Sequence, residues 1–444
     1  MVSESKLEAS LSTLHLWGLA VGLVISGEYF GWSYGWQSAG TLGFLVTTAV
    51  VGLFYLTFVL SLTELASALP SAGGAYLYAE RALGPRWGFL AGLASVVELV
   101  FAPPAIALSI GAYLAVQFEG LSPTLAALGC YGVFMSLNIW GVRIAAVFEL
   151  VVTCLAVMEL LVFVGVMAPV FSFSAFAESG FSGHPSFGWP ALPGIIGAVP
   201  FAIWFFLGIE GAALVVEEVK DPVRSVPRAF VYGIVTLLLL ALVVMLAAGG
   251  TGQVAELAGR NDPLPAAMSR VVGTSSGWLH MLVWVGLFGL IASFHGIILG
   301  YSRQIFGLSR AGYLPRGLSR LHPRRHTPHF AILVGGAVGS LAIASEPLLP
   351  SLGEPLTASL VTLSVLGALT LYVLTMVSFF VLRFREPELL RPFRTPFYPW
   401  VPGAALFLGL GLLVLVVATK PLLSLGFGAV LLLGARAPQA QAGR

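Results

Sequence analysis

Twelve long apolar segments divide the sequence, at about 14–36, 42–69, 87–117, 123–141, 145–170, 193–216, 229–249, 277–308, 329–346, 356–382, 397–418 and 421–435. Segments of this length cross a bilayer, where only a helix or a closed barrel satisfies its own backbone hydrogen bonds. None shows the ~10-residue alternation of a membrane barrel strand. The expected fold class is therefore an all-α integral membrane protein of about twelve transmembrane helices. The charge content decides against a soluble alternative. Only 9% of residues are charged and 58% are hydrophobic, whereas a soluble domain averages about 25% charged residues.

The loops carry the orientation. With the amino terminus inside, 19 of the 22 Lys and Arg residues fall on the cytoplasmic side, among them Lys6, Arg81, Arg143, Arg224, Arg310, Arg383 and Arg444, and only Arg260, Arg270 and Lys420 fall outside. The positive-inside rule then places both termini in the cytoplasm of a multi-pass plasma membrane protein. Residues 1–13 and 436–444 are cytoplasmic tails. Met1–Ser10 is polar without a cleavage signal, so the first span is expected to remain in the mature protein. The loop Val254–Ser276 is expected outside, and the Arg-, His- and Pro-rich loop 311–328 inside. Cys130 and Cys154 lie within apolar segments and read as small buried hydrophobes. No basic patch suggests nucleic acid, and no residue cluster suggests a metal or a cofactor.

Two segments are anomalous. The first contains Val24-Ile25-Ser26-Gly27-Glu28-Tyr29-Phe30-Gly31-Trp32. Gly is a weak helix former, and a carboxylate at bilayer depth costs a few kcal/mol unless it meets a partner or water. The sixth repeats the pattern with Trp204-Phe205-Phe206-Leu207-Gly208-Ile209-Glu210-Gly211. Paired Gly-interrupted segments in corresponding positions mark a binding site between inverted repeats. Residues 14–170 then form one five-helix repeat, 193–382 the second, inverted one, and 397–435 the accessory helices 11 and 12.

Three further stretches carry a resemblance. They are Glu64-Leu65-Ala66 with Pro70-Ser71-Ala72-Gly73-Gly74-Ala75-Tyr76-Leu77-Tyr78 and Gly84-Pro85; Glu217-Glu218-Val219-Lys220-Asp221-Pro222 through Arg228-Ala229; and Ser302-Arg303 with Ser309-Arg310-Ala311-Gly312-Tyr313-Leu314-Pro315. Together they resemble the cytoplasmic motifs of the amino acid–polyamine–organocation superfamily. The resemblance implies the five-plus-five inverted-repeat (LeuT-like) fold with unwound helices 1 and 6. Ile25 to Trp32, Glu98 with Phe101 to Ala107, Phe206 to Ala213, and Ser293-Phe294-His295-Gly296 resemble the ethanolamine permease branch in particular.

The candidate substrate-binding residues are Ser26, Gly27, Glu28, Tyr29, Phe30, Trp204, Phe205, Phe206, Gly208 and Glu210. The outer half of the first helix is expected to begin near Glu28, where a helix amino terminus favours an anion. Permeases of the superfamily typically receive a substrate carboxylate there. Here the chain supplies its own, which repels a second carboxylate and offers a counter-ion to an amine. Glu210 is expected to bind the amine or to bridge spans 6, 2 and 7. The aromatics around both breaks are candidates for cation–π contacts, each about 0.5–2 kcal/mol, with helix packing as the alternative. Trp204 and Phe205 are the candidates for a gate. Relatives carry a lysine near Glu159, so Glu159 joins Glu98 and His295 as a candidate for proton coupling. Glu64, Arg81, Glu217, Glu218, Arg224 and Arg228 are expected to form ion pairs of a cytoplasmic gate.

The function expected is a secondary transporter importing ethanolamine or a similar small cationic amine by alternating access. Membrane potential is the expected driving force, with proton symport as a further candidate. The alternatives are an amino acid permease for cationic or small neutral substrates and a substrate sensor that does not transport. No nucleotide loop or nucleophile motif points to an enzyme.

Overall fold

The computed structural model describes residues 11–70, 74–141, 146–346 and 354–436. Lys6, Arg143, Arg444 and the motif residues Ser71 to Gly73 lie outside the described residues. Among the described residues eight helices are long and apolar enough to cross a membrane, and Thr13–Val24, His329–Ala344 and Pro421–Ala435 are shorter apolar helices.

In chain order the helices are α1 (Thr13–Val24), α2 (Ser26–Tyr29), α3 (Ser33–Ala68), α4 (Ala75–Leu83), α5 (Pro85–Gln117), α6 (Pro123–Trp140) and α7 (Ala146–Met167). Then come α8 (Phe173–Ala177), α9 (Leu192–Gly197), α10 (Val199–Trp204) and a 3-10 segment, Ile209–Glu218. The remainder are α11 (Pro222–Gly249), α12 (Val254–Leu257), α13 (Pro263–Val272), α14 (Gly277–Arg310), α15 (His329–Ala344), α16 (Leu356–Arg385), α17 (Trp400–Thr419) and α18 (Pro421–Arg436). Among the described residues there is no strand, only isolated bridges such as Leu11 with Val219.

Local chemistry sets the boundaries. Ser12 caps α1 and Ser122 caps α6, each hydroxyl accepting from a backbone amide one turn on. Proline stands in the first turn of α5, α6, α11 and α13, where its missing N–H costs nothing. Asp221 accepts from the Arg224 amide, so α11 starts at Pro222, ahead of the apolar run expected at 229. The stretch 254–276, expected as a loop, contains α12 and α13. Helix α3 spans two expected segments, with non-helical backbone at Gly40 between them.

Helix α5 is the central post. It packs against α16 and α14. At Gly367 of α16 a Cβ would stand 2.5 Å from the Ala94 carbonyl and 2.7 Å from the Glu98 amide. A small residue here lets two backbones meet, as in other membrane helix pairs. Helix α1 packs against α7 and α11, and both broken segments are enclosed by these two groups.

Candidate functional site

The first apolar segment is broken twice. Helix α1 stops at Val24, a single turn (α2) carries Ser26 to Tyr29, and Phe30 is extended. Gly31 follows at φ +91°, a left-handed conformation open to glycine. The second half of the segment then begins at Ser33. This corrects the expected position of Glu28. It lies in the short turn before the extended residue, its amide donating to the Ile25 carbonyl at 3.0 Å, five residues before the second half starts. The physical reason is that the chain turns at Gly31, while Gly27 serves a different purpose. A Cβ on Gly27 would stand 2.5 Å from the Trp204 carbonyl, so this glycine lets the two broken segments touch.

The sixth segment breaks at Gly208, φ +95°. Helix α10 ends at Trp204, and the chain continues beyond the glycine as the 3-10 segment rather than an α-helix. The two breaks therefore cross with Gly27 against Trp204.

Side chains from α5, α7, α14 and α16 hold the crossing. The Ser293 hydroxyl donates to the Gly22 carbonyl at 2.6 Å and accepts from the Ser26 amide at 3.3 Å. Tyr29 donates a short hydrogen bond to Glu159, and the Tyr113 hydroxyl donates to the Tyr29 carbonyl at 3.2 Å. Glu159 is thereby tied to the first break across the fold. Glu210 accepts from the Tyr372 hydroxyl of α16 at 2.6 Å. Its hydrogen-bond partner is thus on the tenth expected span, in place of the second and seventh.

Glu28 differs from these. It is wholly buried, and among the described residues neither carboxylate oxygen has a hydrogen-bond partner. Glu98 is also buried with both oxygens unbonded among the described residues, and it lies beside Glu210. His295 meets Asn138, the two side-chain nitrogens 3.0 Å apart. Among the described residues no Lys or Arg forms an ion pair with Glu28, Glu98, Glu149, Glu159 or Glu210.

A cavity of about 220 Å³ reaches the break of the sixth segment at Gly208. Leu11, Glu218 and Arg303 line one part of it; Ala102, Leu207, Gly208 and His295 line another, and Glu98 and Glu149 stand on its wall. Glu28 does not line it. Nor do Tyr29, Phe30, Trp32, Trp204, Phe205 and Phe206. Those aromatics pack on one another. Phe30 meets Trp204 edge-on at 5.5 Å, Trp32 stacks on Phe205 at 6.0 Å, and Tyr55 lies 5.1 Å from Phe206. In this arrangement they form a plug rather than an open cage around a cation.

The expected gate residues take other partners. Glu64 is bound by Arg383 and Arg391 and by the Thr395 amide. Arg81 pairs with Glu386 at 2.6 Å, and that guanidinium holds the Glu386 carboxyl below its usual range. Arg224 and Arg228 are exposed near the start of α11. The Glu218 carbonyl instead accepts from the Leu11 amide at 2.9 Å. The cause is simple: the end of α16 and the segment after it bring Arg383 and Arg391 to Glu64 of α3 and Glu386 to Arg81 of α4. Two of the motif stretches do meet, since Tyr313 donates to the Pro85 carbonyl at 3.1 Å.

Sequence reasoning missed Ser293, Tyr113 and Tyr372 as site residues, because a hydroxyl in an apolar helix is no signal by itself. It also missed Glu149, although a carboxylate inside an apolar segment is one.

Residues 11–430 match the amino acid permease family. An uncharacterized transporter of Rhizobium meliloti (strain 1021) is 32% identical over 404 residues, covering 88% of this chain and 82% of that protein. The branched-chain amino acid permease BcaP of Bacillus subtilis (strain 168) is 24% identical over 93% of this chain and 89% of its own length. The human (Homo sapiens) cystine/glutamate transporter is 27% identical, over 89% and 77%. A polytopic helical chain with two crossing helix breaks, the second of them on the wall of a cavity, matched over nearly its whole length, belongs to the amino acid permease family of membrane transporters.

Proposed function

We propose that this permease is a secondary transporter importing ethanolamine or a closely similar small primary amine across the plasma membrane, with both termini cytoplasmic. Residues 14–170 and 193–382 act as two inverted five-helix repeats, and the crossing of their broken first helices is the binding site. The observation that carries this reading is the bare carboxylate at the crossing. Glu28 is buried with neither oxygen hydrogen-bonded among the described residues. An isolated buried carboxylate costs several kcal/mol, which a cargo ammonium offsets on arrival. A cargo carboxylate meets repulsion instead.

The cavity and the aromatic plug give alternating access its two sides. In this reading the cavity lined by Leu11 and Arg303 is the cytoplasmic side of the path, and the packed Trp32, Trp204 and Phe205 are the outer closure. For a cationic cargo an inside-negative potential contributes about 2.3 kcal/mol per charge per 100 mV. Glu159, held by Tyr29, links the first break to α7 and is the place where proton coupling would be felt.

A second reading is favoured by the relatives. The Bacillus subtilis permease and the human transporter are named for amino acids, so this chain is alternatively an amino acid permease. Uptake of labelled ethanolamine into proteoliposomes, with an inward-negative potential and an amino acid mixture as competitor, separates the two. Saturable uptake indifferent to amino acids supports the amine reading. Competition or transport of amino acids overturns it.

A further inference from the structure

We infer that the cavity wall holds a second organic-ammonium site, centred on Glu149 of α7 and separate from Glu28, with Glu98 of α5 lining the same cavity. It rests on the reading of the cavity as the path of a cationic cargo, and it places a further stop on that path.

Glu149 is 6% exposed and lines the cavity. Its carboxylate lies over the backbone of α1: a Cβ at Gly22 would come within 2.5 Å of its Oε1. One turn on, the Thr153 hydroxyl donates to the Gly18 carbonyl at 3.0 Å, which fixes α7 against α1 at this level. Glu98 is 1% exposed, and among the described residues neither carboxylate oxygen has a hydrogen-bond partner. Its main chain is anchored, since Ser364 donates to its carbonyl at 2.7 Å. Glu149, a buried carboxylate on a fixed helix at the cavity wall with no Lys or Arg paired to it among the described residues, is placed to meet a cation that arrives.

The wall decides what arrives. Its ionisable groups are Glu98, Glu149, Glu218, His295 and Arg303, three carboxylates against one guanidinium. Between them lie Leu19, Leu23, Leu99, Leu207, Leu214 and Ile297. A hard metal cation needs about six oxygen ligands in one shell, and this apolar lining does not gather them. An ammonium with a short carbon chain fits both parts of the wall, its charge on a carboxylate and its methylenes on leucine. Glu28, sealed at the crossing, is outside this space, so the two sites are separate.

The test uses the full-length protein in lipid nanodiscs and a hydrophobic carbodiimide that modifies buried carboxyl groups, with the modified glutamates located by peptide mass spectrometry. Methylammonium chloride is the probe. Modification of Glu149 is expected, and methylammonium is expected to reduce it several-fold. Propanol and sodium chloride at equal concentration should leave it unchanged. The site is overturned if Glu149 is not modified, if methylammonium gives no protection, or if sodium protects equally. The result stands apart from the cargo assignment. Protection without ethanolamine uptake sinks the ethanolamine reading and keeps the site; uptake without protection does the reverse.

Discussion

The two broken segments look alike in sequence and differ in how the fold treats their carboxylates. Glu210 follows its glycine break by two residues and accepts from Tyr372. Glu28 precedes its break at Gly31 by three residues and has no hydrogen-bond partner among the described residues. One carboxylate is held by the scaffold and the other is not; in the proposed function the bare one receives the cargo ammonium. The backbones differ as well. The first segment resumes as a long α-helix from Ser33, whereas the second continues as the 3-10 segment Ile209–Glu218. A buried acid with a donor is fixed in place; a buried acid without one is stabilised by a proton or by an arriving cation.

The largest expected effect tests that contrast directly. Glu28→Gln should lower ethanolamine uptake in proteoliposomes by about 100-fold or more, as removal of one member of a buried charge pair costs about 2–5 kcal/mol. Glu210→Gln keeps an acceptor for Tyr372 and should cost about tenfold or less. Equal losses in the two variants would erase the distinction.

The next effect separates close approach from backbone strain. Gly27→Ala puts a methyl 2.5 Å from the Trp204 carbonyl and should destabilise the protein by about 1–3 kcal/mol, with loss of uptake. Gly208→Ala meets nothing within 4 Å and carries only the cost of φ +95°, about 1–2 kcal/mol. Thermal melting of the purified variants reads both, and a Gly208→Ala loss exceeding that of Gly27→Ala would contradict the crossing.

Tyr372→Phe converts the held carboxylate into a bare one. Loss of its donor should cost about 1–3 kcal/mol, and adding Glu210→Gln should recover part of it. A melting temperature indifferent to Tyr372→Phe would show that the hydrogen bond does not hold Glu210. Ser293→Ala removes two bonds at the first break and should reduce uptake by about tenfold.

The smallest effect lies at the basic end. Arg81 and Glu386 are both substantially exposed, so Arg81→Gln should cost about 0.5 kcal/mol or less. The Glu386 carboxyl is held low by Arg81, so the contribution is present at neutral pH and fades as pH falls through that lowered value. The melting difference between parent and variant should therefore shrink from about pH 5 toward pH 3. A difference that grows on acidification would reverse the sign.

Much of the fold was legible beforehand because apolar length is a strong signal. The segments expected at 87–117, 277–308 and 356–382 correspond to α5, α14 and α16 within a few residues. That both segments are interrupted was legible from glycine near glutamate, but the first chain turn falls at Gly31 and not at Gly27-Glu28. The site's partners were not legible. That Tyr372 reaches Glu210, or Tyr29 reaches Glu159, depends on helix rotation within the bundle, which hydropathy does not encode. The partners of the expected gate residues were not legible either: Glu64 pairs with Arg383 at the end of α16 and with Arg391 beyond it, and Arg81 pairs with Glu386.

What the sequence by itself determined is the class of molecule: a membrane-spanning helical permease with glycine-interrupted apolar segments and acids within them. These follow from the cost of bare backbone and bare charge in hydrocarbon, which each segment carries wherever it packs. The tertiary structure alone decided which acid is bonded, which is bare and which faces the cavity. Helix packing settles that, because a carboxylate's neighbours come from other segments, a hundred or more residues away in several cases.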